Sequence, residues 1–212
     1  MISQDSAAQN KSDHVIRIVD DDAAIRESFC YLLEGEGWTT KAYASAEEFL
    51  ENDDASKPGC IVLDVKMPGG MTGLELQQEL LRCSNGLPVI FVSAHGSIEM
   101  AVHAVLNGAC DFIPKPVDED KLLDAIDKAV KKCDEIYRQR ADREALLVRW
   151  QTLTPREKEV AQLLAKGMLN KVIAAQLGTA NRTIQVHRAT IYLKLGVRSA
   201  AEITSFIEAL KQ

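Results

Sequence analysis

Four short apolar segments of this chain each run into residues able to do polar chemistry. VIRIV (15–19) leads into Asp20-Asp21-Asp22, CIVL (60–63) into Asp64 and PVIFV (88–92) into Ser93, while CDFI (110–113) is followed by Pro114-Lys115-Pro116. As neighbouring parallel strands they would bring several carboxylates, a hydroxyl and an ammonium to one sheet edge. That edge, the carboxyl ends of the strands, is where open α/β sheets carry their sites. Carboxylates this close repel one another unless a cation joins them. An oxygen-only donor set with room for water suits Mg²⁺. A carboxylate beside Mg²⁺, with a lysine and a hydroxyl on the surrounding oxygens, is a workable phosphoryl acceptor: the carboxylate attacks, the cations neutralise the equatorial oxygens, and the hydroxyl donates a hydrogen bond. Each residue alone has a blander reading, since a strand-end Asp is often a cap and a lone Lys a solvated charge. The matched order of four segment ends is what points to a site.

The elements that must position these residues are legible in the apolar spacing. Helical spacing is seen over 23–35, 45–50, 74–81 and 98–107, between the apolar runs and the β-prone TTKAY (39–43). Strands alternating with helices predict an α/β fold with a five-stranded, doubly wound parallel sheet. From Val117 onward the texture is helical. Leu122, Ile126, Ala129, Cys133 and Ile136 fall four and three apart, and the same register then meets Arg140 and Arg143 before Leu147 and Trp150. A helix over 118–149 would be roughly 48 Å long. Its first half is expected to pack on the α/β domain and its second half to be a solvated connector, with pairing of two chains as the alternative.

Residues 152–212 form a third, all-α texture. Thr154-Pro155-x-Glu157 predicts a capped helix start, with Thr154 as N-cap and Pro155 in first position. Helices are expected over 169–177 and 181–195, joined by Gly178-Thr179-Ala180, with another starting at Ser199. Two helices joined by a short Gly-containing turn in a basic segment suggest a helix-turn-helix. Ala180 has no side chain able to cap, so Thr179 or Asn181 is expected to do so. The expected division is 14–133 for the α/β domain, 134–150 for a helical linker and 151–212 for the helical domain.

Composition narrows the function classes. The 212 residues are 46% hydrophobic and 26% charged, which is ordinary globular usage. No apolar run approaches the ~18–20 residues of a membrane helix, and MISQDSAAQNKSDH has no apolar core of a secretory leader. Cys30, Cys60, Cys83, Cys110 and Cys133 are scattered, odd in number and without C-x-x-C spacing, as expected of small buried thiols in a reduced, cytoplasmic protein. The formal charge of −6 hides an asymmetry: residues 1–151 carry −11 and residues 152–212 carry +5. The basic segment is the candidate for nucleic acid.

IVDDD (18–22), IVLDVKMPGGMTGLEL (61–76), FVSAHG (91–96) and GACDFIPKP (108–116) together resemble a two-component receiver domain, over roughly residues 14–133. The resemblance implies phosphorylation of Asp64 by a sensor histidine kinase. It implies Mg²⁺ held by Asp20, Asp21, Asp64 and the carbonyl of Lys66, with Ser93 and Lys115 on the phosphoryl group and a cis Lys115-Pro116 bond. Phe112 matches the aromatic switch position coupled to Ser93, and Asp22 reads as a helix start. Lys66 and His95, two residues past Asp64 and Ser93, match positions that flank the phosphoryl group. The chain departs from the family in the loop Met67-Pro68-Gly69-Gly70-Met71-Thr72-Gly73, one residue longer than M-P-x-[MS]-[SD]-G.

Residues 153–178 and 181–203 resemble the LuxR-type helix-turn-helix, and with the receiver they point to the NarL/FixJ group of response regulators. At ~100° per residue, Ile184, Ile191 and Leu195 share a core stripe, flanked by Arg188 and His187. Arg182, Gln185, Val186, Ala189 and Leu193 lie opposite. In a major groove, Gln185 can pair with adenine, and Val186 and Ala189 can pack on thymine methyls. Thr183, Arg188, Lys194 and Lys171 suit phosphates. The apolar Leu193 on the outer face has no evident reason in the sequence. The resulting expectation is a transcription regulator, not an enzyme beyond slow autodephosphorylation, with operator DNA and RNA polymerase as partners and a homodimer as its phosphorylated form. A haloacid dehalogenase-type phosphatase would need a second Asp two residues after the nucleophile, where this chain has Lys66. A regulator that binds DNA without phosphorylation is the other alternative.

Overall fold

A computed structural model describes residues 11–83, 85–94 and 98–211. Five strands, β1 (Val15–Val19), β2 (Thr39–Tyr43), β3 (Gly59–Asp64), β4 (Val89–Ser93) and β5 (Asp111–Pro114), alternate with four helices: α1 (Ala23–Gly35), α2 (Ala46–Asn52), α3 (Gly73–Arg82) and α4 (Ile98–Leu106). The sheet is wholly parallel in the order β2-β1-β3-β4-β5. β5 begins one residue later than the apolar run suggests, although the Cys110 N–H already donates to the Val89 carbonyl.

Both sheet faces are covered, which is why β1, β3 and β4 are buried along their whole length. Successive side chains alternate between two apolar layers. Ile61, Leu63 and Phe91 join Phe49 of α2, Leu76 and Leu80 of α3 and Ala104 of α4. Ile16, Ile18, Val62, Ile90 and Val92 join Phe29 and Leu33 of α1, and with them Leu122, Ile126, Ala129 and Val130 of α5 (Glu119–Gln151). The expected packing of the first half of α5 is therefore observed. Cys133, also on α5, joins the opposite layer, and most of 138–149 is exposed.

One strand residue breaks the apolar rule. Arg17 is fully buried in β1. Its Nε lies 2.8 Å from both carboxylate oxygens of Asp53, and its terminal nitrogens donate to the carbonyls of Val15, Asp54 and Lys57. The Tyr43 hydroxyl donates to the same Asp53, and this burial beside a carboxylate raises the pKa of the phenol. A buried ion is tolerated only when its donors are met in this way.

The packing divides into two compact units, one up to Tyr137 and one from Arg138. Asp134 and Tyr137 are tied into the first, through His14 (2.7 Å) and the Ala55 carbonyl (2.9 Å). In the second unit, α6 (Pro155–Ala165), α7 (Asn170–Gln176), α8 (Asn181–Leu195) and α9 (Ala200–Ala209) enclose Val160, Leu164, Ile173, Ile184, Ile191, Leu195, Ile203 and Phe206, with Leu146 and Trp150 from the end of α5 packed against them. Thr154 caps α6 in a reciprocal capping box with Glu157, and Pro155 follows in first position. At α8 the expectation fails: Ala180 is the N-cap and no side chain caps the helix. α8 is held by its buried stripe instead. All five cysteines are free, and Cys60 and Cys133 are buried, but Cys83 just after α3 is exposed, contrary to the expectation of buried thiols.

Candidate functional site

The first unit assembles its acidic pocket from three strand ends. Asp20 follows β1 and is almost fully buried; Asp64 ends β3 and Ser93 ends β4, both buried. Lys115, one residue past β5, reaches across with Nζ 2.7 Å from Asp20 Oδ2 and 3.1 Å from Asp64 Oδ1. The free oxygens are also engaged: Asp20 Oδ1 accepts from the Asp22 N–H, and Asp64 Oδ2 from the Lys66 N–H, each at 2.9 Å. Lys115 is itself placed by its N–H, which donates to the Ser93 carbonyl at 2.8 Å, and the Lys115-Pro116 bond is cis, as the resemblance implies.

One ammonium thus serves two buried carboxylates, leaving the pocket short of positive charge. Burial pushes the Asp64 carboxyl above its ordinary range, with Lys115 pulling the other way and Asp20 adding to the rise. Burial alone would lower the Lys115 pKa, but its hydrogen bonds to Asp20 and Asp64 outweigh that and raise it. A second cation would balance the remaining carboxylate charge. Mg²⁺ needs only one or two carboxylates and keeps several waters, so the Asp20–Asp64 pair fits it. The structure does not bring the full expected ligand set together: no group of three or more His, Cys, Asp or Glu suited to a metal exists among the described residues. Asp21 is exposed beside Asp20. Asp22 is a helix start, accepting from the Ala24 N–H as N-cap of α1.

Phe112 is half-buried on β5, its ring 6.2 Å from that of Phe91. His95 lies outside the described residues. Sequence reasoning missed Arg26, which donates to the Asp20 carbonyl at 2.7 Å. It also missed the role of Gly73, where a Cβ would collide with the Asp64 carbonyl oxygen. The Gly at the end of the loop motif was the available signal, because only a side chain of no volume lets α3 begin there.

In the second unit the two faces of α8 separate as the wheel predicts. Ile184, Ile191 and Leu195 are buried, whereas Arg182, Thr183, Gln185, Val186, Ala189 and Leu193 are exposed, Leu193 at 83%. Lys171 is exposed on α7. Arg188 lies over the Tyr192 ring, 5.1 Å from its centroid, and its Nε donates to the Tyr192 hydroxyl. Lys194, expected at a phosphate, is half-buried, with Nζ 2.7 Å from Glu157, a buried carboxylate. That pair holds Glu157 below the usual carboxylate range. The T-P-R-E pattern marked Glu157 only as a capping residue, and its long-range partner had no local signal.

The fold thus presents two candidate sites, an acidic pocket at the strand ends of one unit and an exposed helix-turn-helix face in the other. The model for the response regulator receiver domain matches residues 16–127, and that for bacterial regulatory proteins of the luxR family matches 151–207. Nodulation protein W of Bradyrhizobium diazoefficiens is 37% identical over 92% of this chain and 86% of its own length. Transcriptional regulatory protein FixJ of Azorhizobium caulinodans is 37% identical over 89% of each chain. Among solved structures, response regulator StyR is similar with a TM-score of 0.81, 41% identity and coverage of 93% of this chain and 99% of that one. Full-length FixJ of B. japonicum gives 0.56, 32%, 94% and 98%. The chain belongs to the two-component response regulators of the NarL/FixJ group.

Proposed function

We propose that Asp64 receives a phosphoryl group from a sensor histidine kinase and that this controls sequence-specific binding of double-stranded operator DNA by α8. The observation that carries the first half is the convergence of Asp20, Asp64 and Lys115 on one buried point, short of one positive charge. Asp64 acts as the nucleophile. Lys115 neutralises an equatorial oxygen, and Ser93 donates to another. The Asp20–Asp64 pair would hold Mg²⁺, with Asp21 and the Lys66 carbonyl as the further ligands the resemblance implies, and the ion would supply charge neutralisation at the transferring group. Phe112, packed on Phe91, is the candidate relay from Ser93 to the face made by α4, β5 and α5. That face carries Val102, Val105 and Leu106, exposed by 51%, 52% and 80%, and two such faces pair to form the active dimer. The chain is a cytoplasmic regulator and no enzyme beyond slow loss of its own phosphoryl group, with RNA polymerase as a further partner. No helix among the described residues is long and apolar enough to cross a membrane.

For the second half, the exposed Gln185, Val186 and Ala189 supply base contacts, and Thr183, Arg188 and Lys171 supply phosphate contacts. Mass spectrometry after incubation with a kinase should find the acyl phosphate on Asp64, in a Mg²⁺-dependent manner. DNA selection on the full-length protein should then return a two-fold site bound more tightly by the phosphorylated form. Phosphorylation of the Asp64→Asn protein would refute the acceptor, and DNA preference unchanged by Gln185→Ala would refute the recognition face.

A further inference from the structure

The loop after Asp64, residues 65–72, begins and ends beside the acceptor. The Lys66 N–H donates to Asp64 Oδ2, and the Gly73 N–H donates to the Val65 carbonyl at 3.1 Å. Met67 is buried, but Pro68, Gly69 and Gly70 are exposed, and Gly69 has a φ of 92°. The tip is fastened at one polar point among the described residues. The Met71 N–H donates to Glu47 Oε1, in the first turn of α2, at 2.7 Å. Gly70 makes room for this contact: a Cβ there would stand 2.7 Å from the same oxygen. The Met71 N–H is the largest of the influences that hold the Glu47 carboxyl below its ordinary range.

We propose that Glu47 is a positioning residue for the acceptor: its carboxylate latches the tip of this one-residue-longer loop and thereby keeps the Lys66 N–H on Asp64. The proposal rests on the reading of Asp64 as phosphoacceptor. A loop anchored at both ends beside Asp64 but free at its tip would open more often. Each opening would withdraw the Lys66 N–H and admit water to the acyl phosphate. From sequence alone, Glu47 reads only as an acid favoured at a helix N-terminus.

The test uses the full-length protein, charged on Asp64 by a small acyl-phosphate donor with Mg²⁺, and follows the decay of the acyl phosphate. Amide NMR of the uncharged protein reads the Met71 N–H directly. Glu47→Gln keeps an oxygen acceptor and should retain both the Met71 signal and a lifetime within about twofold of wild type. Glu47→Ala should lose the signal and shorten the lifetime about three- to tenfold, the size of one exposed charge-assisted hydrogen bond. Gly70→Ala, which is not at a left-handed φ and places a methyl against Glu47 Oε1, should weaken the Met71 signal and shorten the lifetime by no more than Glu47→Ala does, and the double variant should be no worse than Glu47→Ala. A lifetime unchanged or lengthened in Glu47→Ala, with Asp64 still charged, overturns the latch and leaves the acceptor intact. Glu47→Gln behaving like Glu47→Ala also overturns it. A wild-type protein that takes no phosphoryl group on Asp64 overturns the acceptor reading and the latch with it.

Discussion

Asp64 carries its function at the expense of the fold. It shares one ammonium with Asp20 inside the protein, and its carboxyl is pushed above the ordinary range by burial. The charged form is therefore less favoured in the folded than in the unfolded chain. The sign follows from linkage: the native state holds more protons than the unfolded one between the two pKa values, so its stability falls as pH rises through that window. Asp64→Asn should remove this slope. Without Mg²⁺ it should also stabilise the first unit by about 1 kcal/mol, because one of two repelling carboxylates becomes neutral. Thermal melts of both proteins across pH 3–7 in chelator check this. A variant less stable than wild type at neutral pH would contradict the charge deficit.

At the level of the element, two buried carboxylates hold structure that no local pattern announces. Arg17 stands in the middle of β1 and is satisfied by Asp53 and by carbonyls of the segment that leads into β3. Asp53→Ala would leave that guanidinium buried with no counter-charge and should cost about 3–5 kcal/mol. The double variant Arg17→Met/Asp53→Ala should recover much of the loss, measured by urea denaturation. In the second unit, Glu157 fastens the last turn of α8 to the start of α6 through Lys194. Lys194→Met should destabilise by about 1–3 kcal/mol by leaving that buried carboxylate without its counter-charge, yet leave the salt slope of DNA binding unchanged. Lys171→Ala should lower that slope by about one. Because Glu157 is held below its ordinary range, its contribution is present above the unfolded pKa and is lost as pH falls through the folded one.

At the scale of the whole chain, an acidic receiver unit is joined to a basic DNA-binding unit, −13 up to Tyr137 and +7 from Arg138. A single helix-turn-helix offers few base contacts, and joining two multiplies affinity through effective concentration. Sedimentation should find the protein shifted toward a dimer by a beryllofluoride mimic of the phosphoryl group. Pairing through the apolar α4 face should survive raised salt better than pairing through charged side chains would. Leu106→Glu, at 80% exposure, should abolish the shift while leaving the monomer folded. A protein that stays monomeric with the mimic and on its operator would refute pairing.

Periodicity alone was enough for the layered α/β order, the long helix and the two faces of α8. Continuous apolar runs and apolar residues three to four apart have few other ways to be buried, so the fold class, the Ser93 and Lys115 positions and the exposed Gln185 face were legible. Caps were legible only where a side chain could make them: Thr154 was readable, and the uncapped start at Ala180 was not. What the residue string did not contain was partnership across long separations. Lys194 looked like a phosphate contact because Glu157 lies 37 positions away. Arg17 sits in an apolar run and its partner Asp53 is distant in sequence, and Met71 reaches Glu47 only after the chain has passed through β3. Local sequence restricts which faces are apolar and which residues end each element. Which charge meets which is decided by packing, since a buried ion takes whatever partner the assembled layers bring within hydrogen-bond reach.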